Sequence, residues 1–279
     1  MRRRFWKLES SELKGAASLF STVCTLALAW EVFDDAPVAV AANRDESLER
    51  KSRPPELYRE EPLVVAPRDA AAGGTWIGVN EHDVVVGITN KWNDADLAGE
   101  RSRGLLVADT LEAASATDAA SIVEAETAST EYEGFYLVVA DASDAFCYEW
   151  NGELARIDFE PGVHVVVNAA VDDHVDAPAT RTDAARAQAR NGQAVRRALA
   201  TESDETVDEW LERAGGVLGD HEYGVCIHRE GFGTRSSSLI ATGEASTYRF
   251  ASGSPCRSTY EPVVVADRLE ADGDVEGHI

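Results

Sequence analysis

The order of elements along the chain predicts an α+β fold, with antiparallel sheets and helices grouped on their faces. Three observations lead to this. The hydrophobic patterning reads as strands, helices, strands, helices, strands, without the strand–helix alternation of a parallel sheet. No long linker or internal repeat divides the chain. The 279 residues are 44% hydrophobic, enough for one large core.

From the N-terminal side, "CTLALAW" (Cys24 to Trp30) and "PVAVAAN" (Pro37 to Asn43) read as two strands of a hairpin turning at Asp34-Asp35. "SLERKSRPPELYREEP" is charged, carries Pro54, Pro55 and Pro62, and reads as a loop. "LVVAPRD" is a short strand. "GGTWIGVNEHDVVVGITN" is a second hairpin, with strands Thr75 to Val79 and Val84 to Asn90. "SRGLLVADTLEAA" and "DAASIVEAETA" have helical spacing, with Ser102 and Asp118 as expected caps. Strands "GFYLVVAD", "AFCYEWNG", "LARIDFE" and "GVHVVVNAA" come next. Helices are expected from Thr182 to Leu199 and from Asp204 to Leu218, then strands "YGVCIHRE", "TRSSSLIATG" and "STYRFASG".

Fifty acidic residues against 26 basic give a net charge of -24. Such a surface repels nucleic acid and anionic lipid, so neither is expected as a partner. It reads as a solvated acidic shell suited to high salt, as in extreme halophiles, where screening shortens to about 3 Å at 1 M. The expected partner is a small molecule.

The four cysteines, Cys24, Cys147, Cys226 and Cys256, show no CxxC spacing. Three read as small buried hydrophobes. Cys226-x-His228 is expected on one strand with no partner pair, and His164 and His228 read as structural. Neither a metal site nor a cofactor is expected.

Chemistry concentrates elsewhere. Asn43-Arg44-Asp45-Glu46 follows the second strand, and Asn43, Asn90 and Asn168 each stand at an expected strand end. Asparagine suits turns, but amides held at strand ends are also good oxyanion donors. Gly73 and Gly74 permit close backbone approach. Cys24 heads the first strand without a histidine in an evident pairing pattern. A terminal cysteine, however, can use its own α-amine as base, with a pKa of about 7.7–8.0. Arg44 would stabilise thiolate and Asp45 would hold the amine.

"CTLALAW…VAANRDE…AGGTWIGVN…GITN", with "CIHREGFGTRSSSLI" and "SPCRSTYEP", resembles the NRDE or Transport and Golgi organisation 2 family across Cys24 to Tyr260. That family resembles the N-terminal nucleophile hydrolases, bile-salt and penicillin V amidases above all. The resemblance implies a four-layer αββα sandwich. It implies Cys24 as nucleophile, Arg44 and Asp45 beside it, Asn90 as oxyanion donor, Asn168 as the second asparagine and Arg235 as a late arginine. Asn43, Glu46, Trp76 and Trp92 are expected to line the substrate site. Two readings stay open: an amidohydrolase acting on a linear amide or acyl bond, and a non-catalytic lipid, acyl-CoA or haem binder.

Two departures from the amidases matter. Arg44 and Asp45 are adjacent, so they reach one site only if the strand ends or bulges at Asn43. Residues 1–23 precede Cys24 and block its amine. They are expected to be a propeptide or, preferentially, untranslated sequence before a start at Val23, whose codon can be GUG. "RRRFWK" resembles a twin-arginine export motif, but Glu9, Glu12 and Lys14 interrupt the region where its apolar residues should start. The apolar run is too short to span a membrane, and a cytoplasmic location is expected. The single domain is expected over 24–266, with an acidic tail over 267–279.

Overall fold

The computed structural model describes residues 24–244 and 246–264. The extension expected at 1–23 and the tail at 267–279 lie outside them. Two antiparallel sheets lie face to face between two pairs of helices.

The first sheet has nine strands. Its path is β12 (His174–Val175), β11 (Ala170–Val171), β10 (Gly162–Val167), β1 (Thr25–Trp30), β2 (Val38–Ser47), β14 (Phe232–Thr242), β15 (Thr247–Ala251) and β16 (Glu261–Pro262), with β13 (His228–Arg229) on β14. The second has seven in sequence order: β3 (Ser52–Glu60), β4 (Leu63–Asp69), β5 (Ile77–Asn80), β6 (Val85–Asn90), β7 (Phe135–Ala140), β8 (Ala145–Trp150) and β9 (Leu154–Asp158). Helices α1 (Arg103–Thr110) and α2 (Ala116–Ser129) cover the second sheet; α3 (Thr182–Ala198) and α4 (Val207–Gly219) cover the first.

Strand alternation sorts the core into layers. On β1 and β2, Leu26, Leu28, Val38 and Val40 meet Ile77, Val85 and Tyr136 between the sheets. Ala27, Ala29, Ala39 and Ala41 face Trp210, Leu211 and Ala214 of α4. Leu137 and Val139 of β7 meet Leu106 and Val123 of α1 and α2. This is the expected αββα sandwich.

Some sequence expectations change. Ser52–Glu60 is a strand, not a loop. It lies at a sheet edge, and its register slips between Arg53 and Glu56, so Pro54 and Pro55 cost it no regular pairing. Asp118 does not cap α2: it is the third helical residue, and its N–H donates to the hydroxyl of Ser115, the true cap. Ser102 stands at the start of α1 but makes no side-chain cap bond. Cys226 lies in a loop before the two-residue β13, not in a long strand. β2 also runs on to Ser47, so Asn43 is inside the strand rather than at its end.

Candidate active site

β1 is central in the first sheet, flanked by β10 and β2. Thr25 pairs with Val167 on one side and with Asn43 on the other. One residue further back along both registers, Cys24 meets Asn168 and Arg44. The Cys24 main-chain N–H donates to Asn168 Oδ1 at 2.8 Å. The thiol is directed at the main-chain carbonyl of Asp45, 3.8 Å from Sγ.

Asn168 is fully buried. Its Oδ1 also accepts from Gln188 Nε2 on α3 at 2.8 Å, and its Nδ2 donates to the main-chain carbonyl of Asn90. Its own carbonyl accepts from the Trp92 N–H at 2.9 Å. Asn168 thus joins Cys24 at the head of β1, helix α3 and the end of β6.

Arg44 is buried on the inter-sheet side of β2. Its guanidinium carbon lies 4.2 Å from the centroid of the Trp76 ring, and Nη2 is 3.4 Å from Asp69 and 3.6 Å from Glu46. Nη1 has no hydrogen-bond partner among the described residues. Arg50 completes the group, 2.6 Å from Asp69 and 3.7 Å from Glu46.

Arg44 and Asp45 do not converge. β2 neither ends nor bulges at Asn43; the bulge is opposite, on β14 between Thr234 and Ser236. Alternation therefore sends the Asp45 carboxyl to the helix side, opposite Thr234. Both its oxygens are buried without a hydrogen bond of normal geometry. Burial pushes its pKa well above the carboxylate range, against weaker opposition from the Thr234 hydroxyl and the charges of Arg229 and Arg44. Only the Asp45 main chain reaches the thiol. Asn43 turns the same way, donating to the carbonyls of Leu218 and Val225, each at 2.9 Å. Its side chain ties the end of α4 to the next loop instead of lining the Cys24 side of the strand.

The remaining expected residues are dispersed. Glu46 joins the Arg44 group. Trp92 is buried among Ala169, Ala185, Ile227 and Phe232. Arg235, at the β14 bulge, donates to the Leu48 carbonyl at 2.7 Å, beyond the far end of β2.

The Cys24 thiol is pushed up to about 12 by burial and then by the charge of Asp45. The Asp45 carbonyl contact and the charge of Arg44 pull the other way. As an internal residue its nitrogen belongs to an amide and cannot accept the thiol proton.

Sequence reasoning missed Gln188, Arg103 and Asp69. Arg103 feels the charge of Cys24 and is fixed by the Gly134 carbonyl at 2.8 Å and Glu133 at 2.9 Å. Gln188 sits in a polar helix where nothing in the pattern marks it. A fourth group was also missed: the ligand atoms of His221, Cys226, His228 and Cys256 all lie within 4.8 Å of one another. Cys226 and His228 therefore do have a partner pair, contrary to the sequence expectation.

The model of the Transport and Golgi organisation 2 family matches residues 23–252. The chain belongs to that family. It is 31% identical over 158 residues to the Transport and Golgi organization 2 homolog of Mus musculus, covering 50% of this chain and 56% of that protein. The human homolog gives the same identity over 158 residues. The chain thus spans about half the length of the curated relatives it matches.

Among solved structures, a point mutant of conjugated bile acid hydrolase from Clostridium perfringens superposes with a TM-score of 0.52 at 12% identity, covering 86% of this chain and 92% of that one. A second variant of that hydrolase gives 0.50, with 82% and 89% covered. The fold of this family member is that of the N-terminal nucleophile hydrolases. No helix among its described residues is long and apolar enough to cross a membrane.

Proposed function

We propose that this chain, once Cys24 is its first residue, is a cysteine amidohydrolase acting on a linear amide or related acyl bond. The observation that carries the reading is the bond from the Cys24 nitrogen to Asn168 Oδ1 at 2.8 Å. It holds that nitrogen beside the thiol in the place where an α-amine would serve as base. The amine takes the thiol proton, and Sγ attacks the acyl carbon. The oxyanion is stabilised by the Asn90 side chain and a main-chain N–H. The amine returns the proton to the leaving nitrogen, and water then hydrolyses the thioester. Arg44, with Nη1 unpartnered, favours the thiolate or an anionic group on the substrate.

The test is a protein produced with Met directly before Cys24, so that methionine removal exposes the amine. On incubation with N-acyl amides, intact mass should reveal an acyl adduct on Cys24. The adduct should be absent from Cys24→Ala and from protein that retains residues 1–23. No adduct across a broad amide panel would overturn the reading.

One observation favours a second reading, of a binder for a lipid, acyl-CoA or haem-type ligand. The stacked Arg44 and Trp76 form a flat cationic and aromatic floor that suits an anionic headgroup on an apolar body. The names of the curated relatives, which refer to transport, fit it too. It requires Cys24→Ala to keep full ligand affinity.

A further inference from the structure

We propose that His221, Cys226, His228 and Cys256 form a closed zinc(II) site that locks the loops behind β2. Three separate segments supply the ligands. His221 opens a short helical turn after α4, Cys226 and His228 lie in and after the following loop, and Cys256 lies in a turn after β15. His228 Nε2 is 3.1 Å from Cys256 Sγ and 3.7 Å from Cys226 Sγ. Zn–S bonds of about 2.3 Å and Zn–N bonds of about 2.0–2.1 Å put tetrahedral ligand atoms roughly 3.3–3.8 Å apart. The observed separations therefore need only small side-chain adjustment.

The chemistry of the donors selects the metal. Two thiolates and two imidazoles suit zinc, whereas calcium and magnesium take oxygen. Binding releases the two thiol protons, and two thiolates neutralise the ion. Four protein ligands leave no open position, so the site is structural rather than hydrolytic.

The main chain around the cluster is already fixed. Thr234 donates its N–H to the Ile227 carbonyl at 2.9 Å, and its hydroxyl accepts from the Ile227 N–H at 2.8 Å. Ser254 Oγ donates to the Thr234 carbonyl at 2.8 Å. One residue thus anchors both the Cys226 loop and the Cys256 turn. Asn43 holds the Val225 carbonyl beside Cys226. These bonds fix the main chain on either side of the ligands and so hold the four side chains near one another.

The site is independent of Cys24 and is tested on the full chain, purified without chelator in reducing buffer. Metal analysis should find about one zinc per chain. Cobalt(II) exchanged into the protein should give tetrahedral d–d bands and thiolate-to-cobalt charge transfer. Cys256→Ser and His221→Ala, both at exposed positions, should weaken zinc affinity at least about 100-fold. Cys24→Ala should retain the metal. The cobalt spectrum of the unaltered chain decides the matter even where a variant folds poorly. The proposal falls if reduced protein dialysed against zinc or cobalt holds no more metal than the C226S/C256S double variant. It also falls if Cys226 and Cys256 form a disulfide that persists in reducing buffer.

Discussion

The main-chain nitrogen of Cys24 and the side-chain oxygen of Asn168 lie 2.8 Å apart although 144 residues separate them in sequence. This bond fixes the residue just before a central strand to an asparagine that follows the neighbouring one. It also defines what a substitution at Asn168 must disturb.

Asn168→Ala removes partners from the Cys24 N–H, Gln188 Nε2 and the Asn90 carbonyl. Each buried group left unpaired costs about 1–3 kcal/mol. The variant is expected to lose about 2–5 kcal/mol in urea denaturation, which sums these costs with partial relaxation. In protein beginning at Cys24, Asn168→Asp, which keeps the oxygen, should retain more acylation than Asn168→Ala.

The thiol gives a second test. Its pKa of about 12 leaves little thiolate at pH 8 while residues 1–23 are attached. Against a free cysteine at about 8.5, alkylation of Cys24 should be slower by about a thousand-fold. Peptide mapping after timed iodoacetamide treatment separates it from the exposed Cys256. Exposing the α-amine should speed the reaction at neutral pH. The folded pKa is raised, so this thiol's contribution to stability is intact below about pH 8.5 and is lost as pH climbs toward 12.

Asp45 behaves in the same sense at lower pH. Its carboxyl is held above the usual range by burial, so folding favours the protonated form. Stability from this group is present below the unfolded carboxylate value and is lost as pH rises through the folded one. Asp45→Asn should therefore stabilise the protein at pH 7, because the amide has no charge to bury at that position. The gain should shrink on acidification, read as the difference in Tm between the two proteins. A variant less stable than the parent at pH 7 would contradict this.

Gly74 offers a steric test. A Cβ there would lie 2.2 Å from the Gly104 carbonyl carbon, main chain against main chain. Gly74→Ala should cost at least about 1–3 kcal/mol, because neither backbone can yield cheaply. The displaced segments carry Trp76 and Arg103, so ligand or substrate affinity should fall as well.

Much of this architecture was legible because strands announce themselves by apolar runs. "CTLALAW" and "VAVAA" form the central hairpin, and the strand–helix grouping along the chain matches the layers. What eluded sequence reasoning was spatial. Charges and prolines disguised β3, since an edge strand need not satisfy both sides. The continuation of β2 through Arg44 and Asp45 could not be read from polar residues that mimic a loop. Cys256 joins His228 only through the return of β15, and no local spacing signals that meeting. Among the candidate site residues, Cys24, Arg44 and Asn168 could be chosen by chemistry, whereas Gln188 joins them through one bond to Asn168 that no local pattern announces.

The alternation within Asn43–Glu46 has an evolutionary consequence. Arg44 and Glu46 share one environment, while Asn43 and Asp45 share another on the reverse of the same strand. Exchanges at positions 44 and 46 should compensate for one another, as should those at 43 and 45, with little compensation across the two pairs. Four consecutive letters thus constitute two separate words, written on opposite sides of one page.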